Sequence, residues 1–536
     1  MSEDSEGTRA PRIIMVGEQA KKNKFVAALD VGTTTIRCHI FDEEVKLRGF
    51  AEDQIELIYP QTGFVEIDNE KLWQSVVKVI NDAIKDAGLK ADDITCLGIS
   101  VQRSSFTTWN RETGVAFHNI VTWRDIRAEK IVYNLNNSLL MKSMRIVSRF
   151  LYYVTRNERY LLGSRMKVMN TQVTPRLLWH LQNNYRLKEA VEKNNAQFGT
   201  LDTWLIYKLT GGKLHATDPS NASCTGFFDP FTMSWATWAF HVLHIPAKIL
   251  PEVMDTADDF GSTSPDLFGA AIPIRSCVAD QSASLFGNCC FSRGNIKITL
   301  GTGSFVDVNT GDCPHASLSG VYPVVAWRLR DETTYMAEGG SNDTGTTIKW
   351  AQKIGIIENP TDSSDLANSV RDTDGVCFVP SFSGLQAPVN DGLAAAGLIG
   401  IKPTTSKAHM IRAILESIVF RIEQLFQVMK SELDADFKVI RVDGGVSKND
   451  FVCQLIADLT GTVVERADST EMSVLGAVFL AGISAGVWET KSDLLSLRQV
   501  RKTFRPRERV NEDYAERVQL WQNAVNRFLR WYPEEC

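Results

Sequence analysis

No stretch of this 536-residue chain approaches the ~18 consecutive uncharged apolar residues that a membrane-spanning helix needs, so helical passage through a bilayer is not expected. A basic surplus is also missing. The formal net charge is −6, whereas a general nucleic-acid binder carries excess positive charge to meet the phosphate backbone. The 10 cysteines are scattered from Cys38 to Cys536, with only Cys289 and Cys290 adjacent. No CxxC has a second ligand pair, which argues against a zinc site and a disulfide framework and for reduced thiols in a cytoplasmic protein. The P-loop signature GxxxxGK[ST] is absent, so any nucleotide must be held by other means. Residues 1–24 have acids before any basic residue and no long apolar run. They read as a disordered leader, not a secretory signal.

What the chain does contain is enough apolar material, 44% of its residues, to bury two cores, and its length makes two large domains the default. Residues 25–42, FVAALDVGTTTIRCHIFD, read as a strand, a Gly/Thr turn and a second strand. Residues 295–311, NIKITLGTGSFVDVNTG, repeat that plan around Gly301-Thr302-Gly303-Ser304. Two such hairpins half a chain apart predict two related domains facing each other. Between them helical and strand periods alternate: a helix over Glu70–Ala87, a buried strand over Ile94–Val101, a helix from Lys407 to about Leu433, a strand at Lys438–Val442, a helix from Asp450 and a strand at Val463–Glu465. That alternation predicts an α/β protein with sheets covered on both faces.

The chemistry-bearing residues sit at the bends of this pattern. Asp30 closes the first strand and is followed by Gly32, Thr33 and Thr34. Such a turn offers backbone N–H groups and hydroxyls to phosphate oxygens. The carboxylate suits a Mg²⁺ ion that keeps part of its water shell. The turn at 301–304 offers a second such cradle, and Asp443-Gly444-Gly445-Val446-Ser447-Lys448-Asn449 a third, with glycines that let backbone approach a ring or ribose. Asp280 lies where the near-apolar run Cys277–Ala279 opens onto a helical pattern. There it is placed to accept a proton from a substrate hydroxyl, with a helix N-cap as the competing role. A further segment, 141–168, holds seven Lys or Arg against the single acid Glu158, interleaved with aromatic and aliphatic residues. It reads either as a surface helix meeting an acidic membrane or partner through Arg145, Arg149 and Arg156, or as a solvated excursion on the domain edge.

Taken in order, these blocks resemble the FGGY carbohydrate kinase family, within it the glycerol kinase branch. The resemblance covers about residues 25–510 and includes Asp30–Arg37, Tyr59–Glu66, Gln102-Arg103, Trp123, Phe198–Gly212, Asp218–Ser223, Asp280–Gly287, Gly301–Phe305, Phe378–Pro388, Asp443–Asn449 and Leu475–Trp488. It implies an α/β fold of two actin-like ATPase (ribonuclease H-like) domains with an interdomain cleft. The N-terminal domain, 25–288, would carry the substrate and part of the phosphate site. The C-terminal domain, 289–515, would carry the nucleotide, and 516–536 would be a tail. It further implies ATP and Mg²⁺ as cofactors, Asp280 as general base, Asp30 as the metal-linked carboxylate, and Arg37 stabilising charge on the transferred phosphoryl group. Thr33, Thr34, Arg37, Thr302, Gly345, Lys349, Gly445 and Asn449 would meet the nucleotide. Arg103, Ser104, Trp123, Thr171, Asp280 and Gln281 would face glycerol or a similar polyol. A homo-oligomer is left open.

The departures from the family pattern are specific. A Glu that grips a glycerol hydroxyl is replaced by Ser104, a pocket aromatic falls at Thr171, an expected lysine is Arg176, and the glutamine near the adenine is Lys349. Losing a charge-assisted hydrogen bond predicts glycerol binding weakened roughly ten- to a hundredfold. Three readings therefore stand: a divergent glycerol kinase, a kinase for another polyol or ketose, and a nucleotide-binding regulatory protein with little catalysis.

Overall fold

The computed structural model of the protein describes residues 23–330 and 332–533, so nearly all of the proposed leader lies outside the described residues. Two mixed sheets organise the chain. The first is built from β1 (Phe25–Val31), β2 (Thr35–Phe41), β3 (Leu47–Gln54), β4 (Ile94–Val101) and β5 (Ile274–Ala279), in the spatial order β5-β4-β1-β2-β3. The second uses β6 (Ile296–Leu300), β7 (Ser304–Gly311), β8 (Tyr322–Leu329), β9 (Glu332–Ser341), β10 (Val439–Asp443), β11 (Val463–Ala467) and β12 (Val500–Phe504), in the order β8-β9-β7-β6-β10-β11-β12.

Both sheets open with an antiparallel hairpin, β1–β2 and β6–β7, and each hairpin's first strand then pairs in parallel with a later one, β4 or β10. The internal echo in the sequence is thus a repeated topology. The near-continuous burial of β1 and β4 follows from helices covering both faces, while β2 alternates because one face is less covered.

The helices that position the site are α1 (Asn69–Asp86), α2 (Leu139–Thr155), α3 (Glu158–Arg165), α4 (Asp280–Gly287), α5 (Gly345–Lys353), α6 (Lys407–Leu433), α7 (Asp450–Thr460), α8 (Met472–Ser484) and α9 (Val510–Phe528). The sequence-predicted helix bounds agree with α1 and α6 to within a residue or so. The proposed C-terminal tail from 516 is a different matter. Much of it belongs to α9, whose Trp521 and Val525 are buried in the core of the second sheet, with the Trp521 indole N–H donating to the Phe378 carbonyl at 2.8 Å. The apolar surface of Trp521, Ala524 and Val525 outweighs the polar residues between them, which is why this segment packs.

A third core joins the two halves. α8 is almost wholly apolar and lies against α4 and the first sheet, its Val474, Val478 and Phe479 meeting Val26, Ala28, Val278 and Phe286. The helices touch at glycines. A Cβ on Gly476 would stand 1.8 Å from the Ala283 carbonyl oxygen, and one on Gly287 2.2 Å from that of Met472. Only hydrogen fits at this crossing.

Candidate active site

Asp280 is the first helical residue of α4, at the carboxyl end of β5. The N-cap position belongs to Ala279, so the capping role considered for Asp280 is not the one it plays; its Oδ1 accepts from the Gln281 N–H at 2.8 Å instead. The carboxylate is 26% exposed, and its Oδ1 lies 3.5 Å from Arg103 Nε. Burial pushes its pKa up, and Glu338 adds to the rise, while Arg103 and Lys297 pull the other way.

Asp30 ends β1 by a different logic. Its Oδ1 accepts from the Ser100 hydroxyl at 2.7 Å and its Oδ2 from Ser473 of α8 at 3.1 Å, with Arg37 Nη1 4.0 Å away. Burial raises its pKa to about 6. Arg37 itself donates to Glu471 at 2.8 Å, so the first hairpin is clasped by the segment that enters α8.

These groups line one cavity of about 1740 Å³ between the two sheets. Asp30, Thr33, Thr34, Arg37, Arg103, Ser104, Trp123, Thr171, Asp280, Gln281, Thr302, Gly345, Lys349, Gly445 and Asn449 all line it. Local structure explains how. The turn after β6 is closed by the Gly301 N–H donating to the Gly303 carbonyl at 2.9 Å. The start of α5 docks onto it through Gly345 N–H to Gly301 O, 3.0 Å, and Thr344 N–H to Thr302 O, 3.1 Å. Gly345 must be glycine, because a Cβ there would stand 2.7 Å from Gly301 O. Gly444 takes φ +82° against β6, while a Cβ on Gly445 would meet nothing within 4 Å and would project into open space. Asn449 caps α7, its Oδ1 accepting from Val452 N–H at 3.0 Å and its Nδ2 donating to Ser363 at 2.9 Å.

Residues 25–287 match the N-terminal domain of the FGGY family of carbohydrate kinases, and residues 296–485 match its C-terminal domain. The chain belongs to the FGGY family of carbohydrate kinases. It is a phosphotransferase with an alcohol group as acceptor. Among the relatives of this FGGY kinase, a human protein named glycerol kinase 5 is 46% identical over 508 residues, covering 95% of this chain and 96% of its own. A Thermotoga maritima protein named glycerol kinase 2 is 36% identical over 510 residues, covering 95% and 99%. The crystal structure of Plasmodium falciparum glycerol kinase with ADP superposes with a TM-score of 0.82 at 27% identity, covering 95% of this chain and 98% of that one.

In this FGGY kinase the positions that depart from the family pattern have definite surroundings. Ser104 has φ +60° and donates its hydroxyl to the Cys224 carbonyl at 3.0 Å. Arg176 is fully buried. Its guanidinium donates to the carbonyls of Ser104 (2.9 Å), Thr171 (2.9 Å), Gln172 (3.1 Å) and Thr122. Burial pushes its pKa down to about 9, still high enough for a full charge at neutral pH. One side chain therefore ties together the backbone beside three residues expected to face the polyol: Ser104, Trp123 and Thr171.

Sequence reasoning passed over a row of buried polar residues beneath the site. Across the second sheet the register sets Lys297 opposite Asp307, Asp307 opposite Glu338, and Glu338 opposite Tyr322. Lys297 Nζ lies 2.6 Å from Asp307 Oδ2 and 2.6 Å from Gln281 Oε1. Glu338 Oε1 accepts from Arg103 Nη2 at 2.7 Å and from the Tyr322 hydroxyl. Burial works to raise the Glu338 pKa, but the Arg103 guanidinium, the Tyr322 hydroxyl and Lys297 together outweigh it and hold the group below the usual carboxylate range. The signal for the first pair was present: counting back from the Gly301–Gly303 turn puts Lys297 and Asp307 side by side.

Proposed function

We propose that this FGGY kinase transfers the γ-phosphoryl group of ATP to a terminal hydroxyl of glycerol, with the Asp280 carboxylate as general base. The observation that carries this reading is the placement of Asp280: partly exposed at the start of α4, in the cavity lined by both glycine turns, 3.5 Å from Arg103. The hydroxyl proton passes to Asp280 as the oxygen attacks phosphorus in line, and the bond from phosphorus to the β,γ-bridging oxygen breaks to release ADP. Arg103, fixed in direction by Glu338, and Trp123, whose indole N–H donates to Thr33 at 3.1 Å, hold the polyol. Arg37 and the N–H groups of the two turns meet charge on the phosphate oxygens.

Asp30 fits a Mg²⁺ ion. It is a buried carboxylate at the cavity edge whose charged form is disfavoured on its own and would be favoured by a cation. Bound there through water, the ion would neutralise phosphate charge.

A second reading, a different polyol or a ketose, draws on Ser104 and Thr171. With the Ser104 hydroxyl committed to the Cys224 carbonyl and Thr171 exposed, neither offers glycerol the carboxylate or aromatic face of the family pattern. Purified protein, ATP and Mg²⁺ with a panel of polyols and ketoses separates the readings by ADP release. Glycerol-dependent release that falls on the order of a thousandfold in Asp280→Asn, with Tm unchanged, supports the first. Turnover only on another substrate supports the second, and nucleotide binding without turnover on any substrate would leave a regulatory role.

A further inference from the structure

The 141–168 segment forms two helices, α2 and α3, whose inner side reaches the cavity through residues such as Met144 and Ser148. The outer side of α2 is unusual for a helix facing water. Leu139, Ile146, Phe150 and Tyr153 are 85%, 69%, 65% and 73% exposed, and Val147 and Val154 are exposed beside them. Positions 139, 146 and 153 recur every seven residues, with 147, 150 and 154 alongside, so these side chains form one stripe along a helix of 17 residues, about 25 Å long.

A second row runs parallel to it. Lys142, Arg149 and Arg156 each follow a stripe residue by three positions, all are exposed, and among the described residues none has an acidic partner. Arg145, grouped with them on sequence grounds, is not part of this row. Its guanidinium is turned inward to the Met166 carbonyl at 2.8 Å and Asn136 Oδ1 at 3.0 Å, which ties α2 to the strand of chain beyond α3.

An exposed apolar stripe edged by cations that have no acidic partner, Arg156 lying over the Tyr153 ring at 5.3 Å, is the pattern of a helix lying in the plane of a bilayer surface, with its apolar side among the acyl chains and its cations among anionic headgroups. We propose that the outer face of α2 docks on an anionic lipid surface. Charge decides between this occupant and a second copy of the chain. A twofold contact through the stripe would bring two rows of Lys142, Arg149 and Arg156 together, and like charges repel. The overall charge of −6 does not oppose docking strongly, because at physiological salt charges beyond about 8 Å from the surface are screened. The opposite side of α2 lines the kinase cavity, so docking would hold the cavity rim near the headgroups.

The test is co-sedimentation of the full chain with vesicles of phosphatidylcholine alone and of phosphatidylcholine with phosphatidylserine. The wild type should sediment with the anionic vesicles, weakly with the neutral ones, and less as salt rises. The double variant Ile146→Glu, Phe150→Glu should lose vesicle binding while keeping its circular dichroism spectrum. Lys142→Glu, Arg149→Glu should weaken binding at least about tenfold, since each cation at such a surface is worth roughly fivefold. Failure of the wild type to bind anionic vesicles, equal binding to neutral ones, or binding untouched by both double variants would overturn the proposal. So would a dimer in sedimentation velocity that Phe150→Glu dissolves while vesicles are ignored, which would assign the face to a second copy. None of these readouts depends on which polyol the kinase accepts.

Discussion

Arg176→Lys is a small chemical change with a large expected consequence. The guanidinium of Arg176 makes four hydrogen bonds to backbone carbonyls through three nitrogens spread over a rigid fork. A lysine ammonium concentrates its three donors on one atom and cannot span the same acceptors, so one or two of the four bonds are lost. The site is fully buried, and each carbonyl left without a donor costs about 1–3 kcal/mol. Destabilisation of about 2–4 kcal/mol follows, measurable as a shift in urea midpoint at constant slope. The functional consequence is directional. Three of the acceptors belong to Ser104, Thr171 and Thr122, the last adjoining Trp123, so the side of the cavity proposed to hold the polyol loosens. Ser104 is the most sensitive, since its φ of +60° is a strained conformation held by the bond to its carbonyl and by its own hydroxyl. The KM for the polyol should rise while the KM for ATP stays put. Equal rises in both, or an unchanged urea midpoint, would refute the idea that this one side chain organises the acceptor pocket.

Other outcomes are equally checkable. Gly445→Val should leave Tm nearly unchanged, because a Cβ there meets no protein atom within 4 Å and points into open space, yet should weaken nucleotide binding by filling the cavity, as read by ADP titration calorimetry. Gly476→Ala should lower stability by about 3 kcal/mol or more, since its new carbon would stand 1.8 Å from the Ala283 carbonyl oxygen; a thermal melt decides. As the proposed base, Asp280 must be ionised to accept a proton, and burial raises its pKa above the ordinary 3.8. The acid limb of kcat/KM should therefore fall at a higher pH than an unperturbed carboxylate would give, and activity should be lost as pH drops through it. An acid limb at or below the ordinary carboxylate value would contradict the burial of that group.

Much of this could be read along the chain. The hairpin at 25–42, its echo at 295–311, the long helix now seen as Lys407–Leu433 and the strand-to-helix step at Asp280 all leave local periodic marks. Every residue singled out for the site lies on one cavity because most sit at a turn, a strand end or the first turns of the helix that follows, and in α/β sheets those ends converge. Tyr322 and Glu338 went unread for a different reason. Glu338 lies in a mostly buried strand, and its partner Arg103 is 235 residues away, so nothing in its neighbourhood shows that a cation waits there.

By itself, then, the order of residues determined which segments become strands, helices and turns, because backbone periodicity and glycine placement act over a few residues. It also carried the family likeness. Tertiary structure alone decided that α8 closes onto α4 through Gly476, that α9 joins the core, that Arg145 turns inward while Lys142, Arg149 and Arg156 stay without acidic partners, and that Arg103 finds Glu338. Those outcomes depend on which distant surfaces exclude water together, and burial is a property of the assembled fold, not of any single stretch of chain.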